Sequence, residues 1–284
     1  MIDNRIKTFL TLCRKMNYRQ TADELHMTQP AVTQHIHFLE ETYGCKLFIY
    51  DKRTLTMTRE AELLRIYAEN VQYQEKKLRE QLKMPEVVKL SIGATKTIGE
   101  FVIPEHVSRF IADDRNDLSV EVDNTEHLLA RISDGDLDFA IIEGMFDKTK
   151  YASTLYREEP FVGICARSHP FAGRAVSFDE LWSEHLLLRE EGSGTRDIFI
   201  QTLSEHSHSL AEFSKVTAIS NFGLMIKVLE QTGGITFAYR ALLSQNKNLS
   251  EFHIKGSETV REFNYVYLDT PFARSGVEKF EEYR

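Results

Sequence analysis

Side chains able to read the edges of DNA bases stand on one face of a predicted helix, in the segment MTQPAVTQHIHFLEE at residues 27–41. Glutamine can form two hydrogen bonds with adenine in the major groove, and threonine offers a hydroxyl and a methyl group that suit thymine. A polar helix face is more often simply solvated, but this one carries no acidic group that phosphates would repel. Four side chains share the face: Gln29, Thr33, Gln34 and His37.

Groups that suit the phosphate backbone surround this face. Thr28 is a good N-cap for the helix, and Pro30 in its first turn loses nothing by lacking an N–H. Backbone N–H groups at the starts of the second and third predicted helices, with Arg19 beside them, are placed to meet phosphates. Lys52 and Arg53 follow on a polar hairpin tip, where a basic side chain can reach the minor groove or the adjacent backbone.

Three short helices and a hairpin must position these groups. Apolar residues recur at helical spacing over residues 4–16, and Tyr18–His26 fits a second helix. Gly44 is suited to end the third helix. The stretch KLFIYDKRTLTMT, residues 46–58, predicts two short strands around a polar tip. This order predicts a winged helix-turn-helix domain over residues 1–58. The predicted buried row of the third helix is Val32, Ile36 and Leu39.

A long linker helix is predicted next, within residues 59–87. A helix of nearly thirty residues spans roughly 40 Å at 1.5 Å per residue, too long to bury an apolar stripe against so small a head. It is therefore predicted to dimerise with a second copy of itself. Pro85 marks its predicted end. The predicted stripe comprises Leu64, Tyr67, Val71, Leu78 and Leu82.

Strands and helices alternate in the remaining residues, 88–284. Strands are predicted at VVKLSIG, LSVEV, LDFAII, PFVGICA, HLLLR, GGITFA and NYVYL, with helical segments between them. Alternation over about 200 residues favours parallel, doubly wound sheets, and this length suits two lobes. The fold class predicted for the chain is α/β, preceded by an all-α winged domain and a long linker helix.

The segment FLTLCRKMNYRQTADELHMTQPAVTQHIHFLEETYGCKLF, residues 9–48, resembles the N-terminal domain of LysR-type transcriptional regulators. Its T-Q-P-A-V core and closing K-L-F follow the family pattern without a gap, although Gln34 stands where the family often has Arg. The resemblance implies a transcription regulator that binds double-stranded DNA and responds to a small-molecule effector. It also implies homodimers that assemble into tetramers. The C-terminal region would then resemble a type II periplasmic solute-binding fold, with lobe I at about 88–160 and 263–284 and lobe II at about 161–262.

Two loops and one helix start are the predicted effector contacts. By the same resemblance, effectors meet hydroxyls and N–H groups in the loop after the first strand of this region, and ligands of open α/β sheets lie outside the carboxyl ends of strands. Thr95 and Thr97 are alternatively caps of the next helix. In REEGSGTRDIF, glycines allow an anion to approach a helix start. Glu190 and Glu191 count against a strongly anionic pocket, and a plain glycine-rich helix start is the alternative. The predicted contacts are Thr95, Lys96, Thr97, Ser193, Gly194, Thr195, Arg196 and Asn221.

The net charge of −8 does not exclude nucleic acid as a partner, because the charge is unevenly distributed along the chain. Residues 1–58 hold eight basic against six acidic side chains, or +2, whereas residues 88–284 hold 21 against 31, or −10. The acidity therefore belongs to the C-terminal region. No apolar run approaches the ~20 residues that span a bilayer. A cytoplasmic protein with no membrane partner is therefore expected.

The motifs of common enzymes are missing. The sequence GSGTR is not a G-x-S-x-G nucleophile elbow, and neither G-x-x-x-x-G-K-[ST] nor H-E-x-x-H occurs. Three widely spaced cysteines fit neither a disulfide framework nor a zinc site. A regulator that is not an enzyme, without metal or cofactor, is therefore expected. The alternative is a cytoplasmic solute-binding or enzymatic α/β protein whose N-terminal helices serve assembly.

Overall fold

The N-terminal domain consists of three helices and a two-stranded hairpin, in a computed structural model that describes residues 3–52, 54–83, 86–144 and 146–284. Helix α3 begins after Thr28, whose Oγ1 accepts a hydrogen bond from the N–H of Ala31 at 3.4 Å, and ends at Gly44 with φ of 67°. Both predicted ends of this helix are confirmed. The elements are α1 (Asn4–Lys15), α2 (Tyr18–Glu24), α3 (Gln29–Tyr43), β1 (Phe48–Asp51) and β2 (Thr54–Met57).

The apolar row of α3 anchors it in the domain core. Val32, Ile36 and Leu39 are at most 4% exposed, as the spacing predicts. The next residue, Glu40, is buried too, and its carboxylate accepts hydrogen bonds from Lys46 Nζ at 2.7 Å and from the N–H of Leu47 at 3.0 Å. Burial works against the charge, but these bonds outweigh it and lower the pKa of Glu40. The pair ties the end of α3 to the hairpin and fixes the direction of the helix.

Helix α4 (Arg59–Lys83) has two apolar faces rather than the single predicted stripe. Leu64 belongs to the core of the N-terminal domain, and Tyr73 is buried in the core of the α/β region. Tyr67 and Leu82, by contrast, are 64% and 75% exposed. Leu64 shares the face of the other predicted residues, because the 18 residues between it and Leu82 make about five turns. The N-terminal domain of its own chain covers Leu64, so this residue is not part of the exposed stripe. Pro85, the predicted helix end, lies outside the described residues.

Polar contacts attach α4 to the α/β region, and we call the set Tyr73, Lys77, Ser91 and Asp138 the linker junction. Tyr73 Oη donates a hydrogen bond to Asp138 at 2.7 Å, and Lys77 Nζ lies 2.8 Å from the same carboxylate. The N–H of Ser91 donates to it at 2.8 Å. Because Asp138 is 3% exposed, these donors take the place of water around its carboxylate. The junction therefore holds the linker helix to the start of a central strand.

The α/β region follows the predicted alternation and adds strands that were not predicted. The helices are α5 (Lys96–Phe101), α6 (Pro104–Ile111), α7 (Thr125–Ser133), α8 (Phe178–Leu181), α9 (Gly194–Glu205), α10 (Phe222–Thr232) and α11 (Pro271–Glu281), with short 3-10 helices at Leu210–Glu212 and Arg240–Gln245. The strands are β3 (Val88–Thr95), β4 (Asn116–Asp123), β5 (Phe139–Glu143), β6 (Ala152–Ala166), β7 (Ala175–Val176), β8 (His185–Leu188), β9 (Lys215–Ala218), β10 (Ile235–Tyr239), β11 (Leu249–Ile254) and β12 (Thr259–Tyr267).

Hydrogen-bonded strands run in the order β4-β3-β5-β12-β6-β10-β8-β9. The β4-β3-β5 group and the β10-β8-β9 group are parallel, as predicted. Between them β6 and β12 are antiparallel to each other and to their outer neighbours, which corrects the prediction of purely parallel sheets. These long strands join the two parallel groups, so the chain passes twice between the lobes. Among the described residues, no helix is long and apolar enough to cross a membrane.

Candidate functional site

The face of α3 opposite its buried row is open to solvent. Gln29, Gln34 and His37 are exposed and Thr33 is partly buried. The Thr33 hydroxyl donates to the backbone carbonyl of Gln29 at 3.1 Å, so toward a base it can act only as an acceptor, while its methyl group can contact thymine. His37 Nδ1 lies 3.6 Å from the Glu40 carboxylate at the end of the face. The face therefore presents two free amide side chains, from Gln29 and Gln34, at its N-terminal end.

The helix starts near this face are already partly capped from within the domain. Asn17 Oδ1 accepts hydrogen bonds from the N–H groups of Arg19 and Gln20, at 3.0 and 3.1 Å. Thr28 does the same for Ala31 in α3. A phosphate at these positions would therefore share donors with the caps. The Arg19 side chain is exposed, as is Pro30.

The hairpin tip projects as predicted. Asp51 pairs with Thr54 at the end of the hairpin. Lys52 is exposed and has a φ of 49°, in the left-handed region that tight hairpin turns require. Arg53, the second predicted contact of the wing, lies outside the described residues. The exposed Lys52 ammonium is a suitable partner for a phosphate.

A second candidate site lies where four strands end between the lobes. Thr95 ends β3, Glu143 ends β5 and Tyr239 ends β10, and Arg189 follows β8 directly. All four side chains are at most 7% exposed. Ligands of open α/β sheets lie outside the carboxyl ends of strands. We call this set of residues, with Lys96 and Glu190, the cleft site.

Unpartnered polar atoms mark the cleft site. Thr95 Oγ1, Glu143 Oε2 and Tyr239 Oη are buried and have no hydrogen-bond partner among the residues that the structure describes. A buried polar atom without a partner costs about 1–3 kcal/mol, so such atoms call for a ligand or water. Burial raises the pKa of Tyr239, and the neighbouring Glu143 carboxyl adds to the rise. The three atoms therefore fit hydrogen-bonding groups of a bound molecule.

Neither threonine caps the following helix with its side chain. Thr95 occupies the N-cap position of α5 but makes no side-chain capping bond. The Thr97 hydroxyl lies 3.4 Å from Glu143 Oε1, to which it donates. The capping alternative is therefore wrong for both side chains, because Thr95 makes no capping bond and the Thr97 hydroxyl is directed to Glu143.

The cations of the cleft site meet at Glu190. Arg189 Nε donates to Glu190 at 2.8 Å, and Lys96 Nζ lies 3.0 Å from the same carboxylate. The Arg189 guanidinium also stacks over the Phe222 ring, with its carbon 4.0 Å from the ring centroid. Burial works against the Glu190 charge, but hydrogen bonds from Arg189 and Lys96 lower its pKa to about 2. The cleft site therefore holds two cations and one permanent carboxylate.

The predicted residues of the second loop occupy varied positions. Thr195 is buried, Ser193 is partly buried and Gly194 is exposed at the start of α9. Arg196 donates to the carbonyl of Arg189 at 3.2 Å, so its guanidinium supports the loop. Asn221 caps α10, its Oδ1 accepting from the N–H of Leu224 at 2.8 Å.

Sequence reasoning missed three residues of the cleft site: Arg189, Glu143 and Tyr239. Each stands at the end of an apolar strand, in HLLLR, FAIIE and ITFAY. A charged or hydroxyl group at the carboxyl end of a buried strand is the signal that could have found them. To predict which strand ends lie together, one must know the order of the strands in the sheet. The local sequence pattern does not give that order.

The Glu143 carboxyl predicts a pH dependence of stability. Burial raises its pKa from 4.5 to about 8, against the opposing effects of Arg189 and Thr97. Between these pH values the folded state keeps a proton that the unfolded chain has released, so stability falls as pH rises. Glu143→Gln cannot ionise, and we expect the wild type to lose up to about 1.4 kcal/mol per pH unit relative to it. Urea unfolding of both proteins from pH 5 to pH 9 measures the difference.

The matched control for this measurement is Glu158→Gln, because Glu158 is an exposed carboxylate on strand β6 of the same sheet. That variant should follow the wild type at every pH. Parallel stability curves for the wild type and Glu143→Gln would contradict the buried, protonated carboxyl.

Within the described residues, one group of side chains has the spacing of metal ligands. It comprises Glu121, Asp123 and His127 on lobe I, and all three are partly or fully exposed. His127 Nδ1 already lies 2.7 Å from Asp123. Asp123 is the sheet partner of Thr95, so the group borders the cleft site, and it is explained as a surface ion pair.

The architecture is that of a transcription regulator with a ligand-binding domain. It combines a winged helix-turn-helix domain, a linker helix and a two-lobed α/β region. Residues 4–62 match the family model of the bacterial regulatory helix-turn-helix protein, lysR family, and residues 86–283 match that of the LysR substrate binding domain. The chain therefore belongs to the LysR family. It is a LysR-type transcriptional regulator with a DNA-binding helix-turn-helix and an effector-binding domain.

Known proteins resemble the chain over most of its length. HTH-type transcriptional regulator CysL of Bacillus subtilis is 28% identical over 275 residues, which cover 92% of this chain and 89% of CysL. Full-length CbnR complexed with its target DNA aligns with a TM-score of 0.57 at 13% identity, covering 100% of this chain and 99% of CbnR. The Synechocystis PCC6803 CcmR regulatory domain in complex with 2-PG aligns with a TM-score of 0.59 at 20% identity, covering 68% of this chain and 96% of CcmR. The two structures show a shared fold.

Proposed function

We propose that the chain binds double-stranded promoter DNA through α3 and the hairpin and changes that binding when a small anion occupies the cleft site. The observation that carries the proposal is the cleft site itself, with the buried Arg189, the partly exposed Lys96 and unpartnered polar atoms where four strands end. The proposed domains are residues 1–58 for DNA binding, 59–87 for the linker and 88–284 for effector binding. No catalytic role is proposed, since the relatives are transcription regulators.

The exposed amides of α3 support direct reading of bases. Gln29 and Gln34 can each pair with the adenine edge, and the Thr33 methyl suits thymine. Lys52, Arg53 and Arg19 would contact phosphates, which position the helix without reading sequence. CbnR, which has the same fold, is solved with its target DNA. A DNA-binding helix of this kind needs flexible donors on its outer face and an apolar row on its inner face, and α3 has both.

The charge balance of the cleft site supports an anionic effector. Arg189 and Lys96 supply two cations, and Glu143 is protonated at neutral pH because its pKa is raised to about 8. A protonated carboxyl donates a hydrogen bond, as do the hydroxyls of Thr95 and Tyr239. A carboxylate or phosphate would therefore meet donors on several sides. The CcmR regulatory domain, which has a similar fold, is solved in complex with 2-PG, so 2-PG is one of the first ligands to test.

Strand β5 offers a route from the cleft site to the linker. Glu143, in the cleft site, ends β5, and Asp138, in the linker junction, directly precedes it. The strand is five residues long and fully buried, so a shift at one end is carried to the other. Effector binding would thus move Asp138 against Tyr73 and change how paired heads span their half-sites.

A thermal-shift screen of the full chain tests the anionic effector. Inorganic phosphate, 2-PG, small dicarboxylates, amino acids and polyamines are compared at equal ionic strength. We expect at least one di- or trivalent anion to raise the melting temperature, since a ligand that binds only the folded state stabilises it. Stabilisation by cations alone would contradict the proposal.

The exposed face of α4 supports a homodimer. Leu63, Tyr67, Leu78 and Leu82 are 47–75% exposed in the single chain and recur at helical spacing. A contiguous apolar stripe of this kind marks an interface with another chain. A second copy of the same helix would cover the stripe in a parallel or antiparallel pair. Assembly of dimers into a homotetramer is proposed from the family resemblance.

A charge placed in this stripe should prevent dimerisation. We expect Leu78→Glu to raise the dissociation constant of the dimer at least tenfold, because a carboxylate would be buried in an apolar contact. Sedimentation velocity measures the change. Gln72→Glu, at an exposed position of α4 outside the stripe, introduces the same charge and should leave the dimer intact. Equal dissociation in both variants would contradict the interface.

A further inference from the structure

The cations of the cleft site are already occupied by a carboxylate of the chain. Glu190 accepts from Arg189 Nε at 2.8 Å and from Nη2 at 3.1 Å, and Lys96 Nζ donates to it at 3.0 Å. A guanidinium fork with a second cation is the arrangement that a ligand carboxylate or phosphate takes. We propose that Glu190 is a built-in competitor of the effector: its carboxylate fills the anion subsite until an anionic ligand displaces it. The inference rests on the proposed function, since it assumes an anionic effector.

The burial of Arg189 separates this contact from an ordinary surface ion pair. Arg189 is 3% exposed and stacked on Phe222, so its guanidinium has a fixed position. Glu190 is its carboxylate partner at hydrogen-bonding distance, and buried guanidinium groups require such a partner. Surface pairs contribute little to stability, whereas a forked pair with a buried guanidinium contributes more. Without effector, Glu190 therefore supplies the charge that Arg189 needs.

The same carboxylate joins the two lobes. Lys96 starts α5 on lobe I, and Glu190 follows β8 on lobe II. Beside this pair the rings of Phe101 and Phe222 meet edge to face, with centroids 5.3 Å apart. Gln245 Nε2 donates to the carbonyl of Glu100 at 3.5 Å across the same opening. A ligand that takes Lys96 and Arg189 from Glu190 therefore replaces the chain's own bridge with a bridge through itself.

Glu191, the next residue, is also a glutamate but is placed differently. The proposed role of Glu190 therefore depends on its position and not on its residue type. The side chain of Glu191 is 92% exposed, and its carboxylate lies 3.8 Å from Arg196. It points to solvent, while Glu190 points into the cleft site. The two glutamates next to Gly192 thus differ in role, and Glu191 is a matched control for Glu190.

Removal of the competitor should strengthen anion binding. We expect Glu190→Gln to bind inorganic phosphate at least tenfold more tightly than the wild type, as measured by isothermal titration calorimetry on the full chain at constant ionic strength. Glu190→Ala, which also removes the acceptor atoms, should show a gain of the same sign. Glu191→Gln should bind phosphate as the wild type does. In the absence of ligand, backbone amides of α5 and of residues 240–245 should exchange hydrogen faster in Glu190→Gln.

Each outcome bears on the inference. Tighter phosphate binding in both Glu190 variants, with Glu191→Gln unchanged, supports it. Equal or weaker binding in the Glu190 variants, when the wild type binds phosphate, overturns the competitor and leaves the anionic effector standing. Absence of binding by inorganic phosphate, 2-PG and malonate to every variant overturns both the competitor and the anionic effector. An equal gain in Glu191→Gln would show a general charge effect and would also overturn the competitor.

Discussion

Replacement of Gln29 by Ala should weaken binding to the specific operator by about 1–3 kcal/mol, which is the discrimination that a bidentate side chain–base pair provides. Gln29 is the first residue of α3, exposed beside Pro30, and its amide has no structural role in the contacts of the domain core. Binding to random DNA should change little, because phosphate contacts supply that affinity. Fluorescence anisotropy with operator and random duplexes, at one fixed salt concentration, measures both losses.

The control is Gln201→Ala, which makes the same change at an exposed position of α9 in the effector-binding domain. It should bind both duplexes as the wild type does. An equal loss on operator and random DNA in Gln29→Ala would show that the residue contributes to general affinity and would remove it from base reading. Gln34→Ala should show the same selectivity at a neighbouring base pair.

Replacement of Arg189 by Met should abolish most of the effector's affinity. Removal of one partner of a buried, hydrogen-bonded charge pair costs about 2–5 kcal/mol, so the dissociation constant of an anionic effector should rise roughly 30-fold or more. Methionine keeps the apolar contact with Phe222 that the Arg189 side chain makes. Titration of the best anion from the thermal-shift screen, with operator binding recorded in parallel, measures the loss and shows that the variant is folded.

Two further variants define the origin of this effect. Arg189→Lys keeps the charge but loses the fork, and an intermediate affinity is expected. Arg174→Met removes an exposed lobe II cation that is paired with Glu180 at 3.3 Å, and it should bind the effector normally. If Arg189→Met responds to the effector as the wild type does, the ligand lies elsewhere than in the cleft site.

Local patterns were sufficient for the N-terminal domain. The buried row Val32, Ile36 and Leu39, the cap at Thr28 and the end at Gly44 depend on contacts within a few residues or on a single helix face. Such contacts can be predicted from the spacing of residue types along the sequence. The winged helix-turn-helix fold was therefore predictable, and the family comparison confirms it.

Long-range packing decides the features that were not predicted. Tyr73 is buried because β5 and its Asp138 lie against α4, so helical spacing alone could not assign it to a second face. The first half of β6 and the strand β11 mix polar and apolar residues without a regular alternation, and their pairing partners are distant in sequence. They were missed for that reason.

The residues of the cleft site could likewise be predicted only in part from the sequence. The sequence placed Thr95, Lys96 and Thr97 at a strand end, where they lie in the structure. The partners that meet them are Glu143, nearly fifty residues away, and Glu190, more than ninety residues away. Only the order of strands brings these groups together. The charge of Glu190 counted against a site for anions in the sequence, whereas we propose from its contacts with Arg189 and Lys96 that it fills the anion subsite itself.

A mobility-shift assay of the full chain with DNA fragments upstream of its own gene tests the central claim most directly. We expect at least one fragment to be bound roughly a thousandfold or more tightly than random DNA, with an affinity that falls steeply between 50 and 200 mM salt. Addition of the anion that stabilises the protein should change the mobility or affinity of that complex. Absence of a salt-sensitive shift on every fragment would contradict the account.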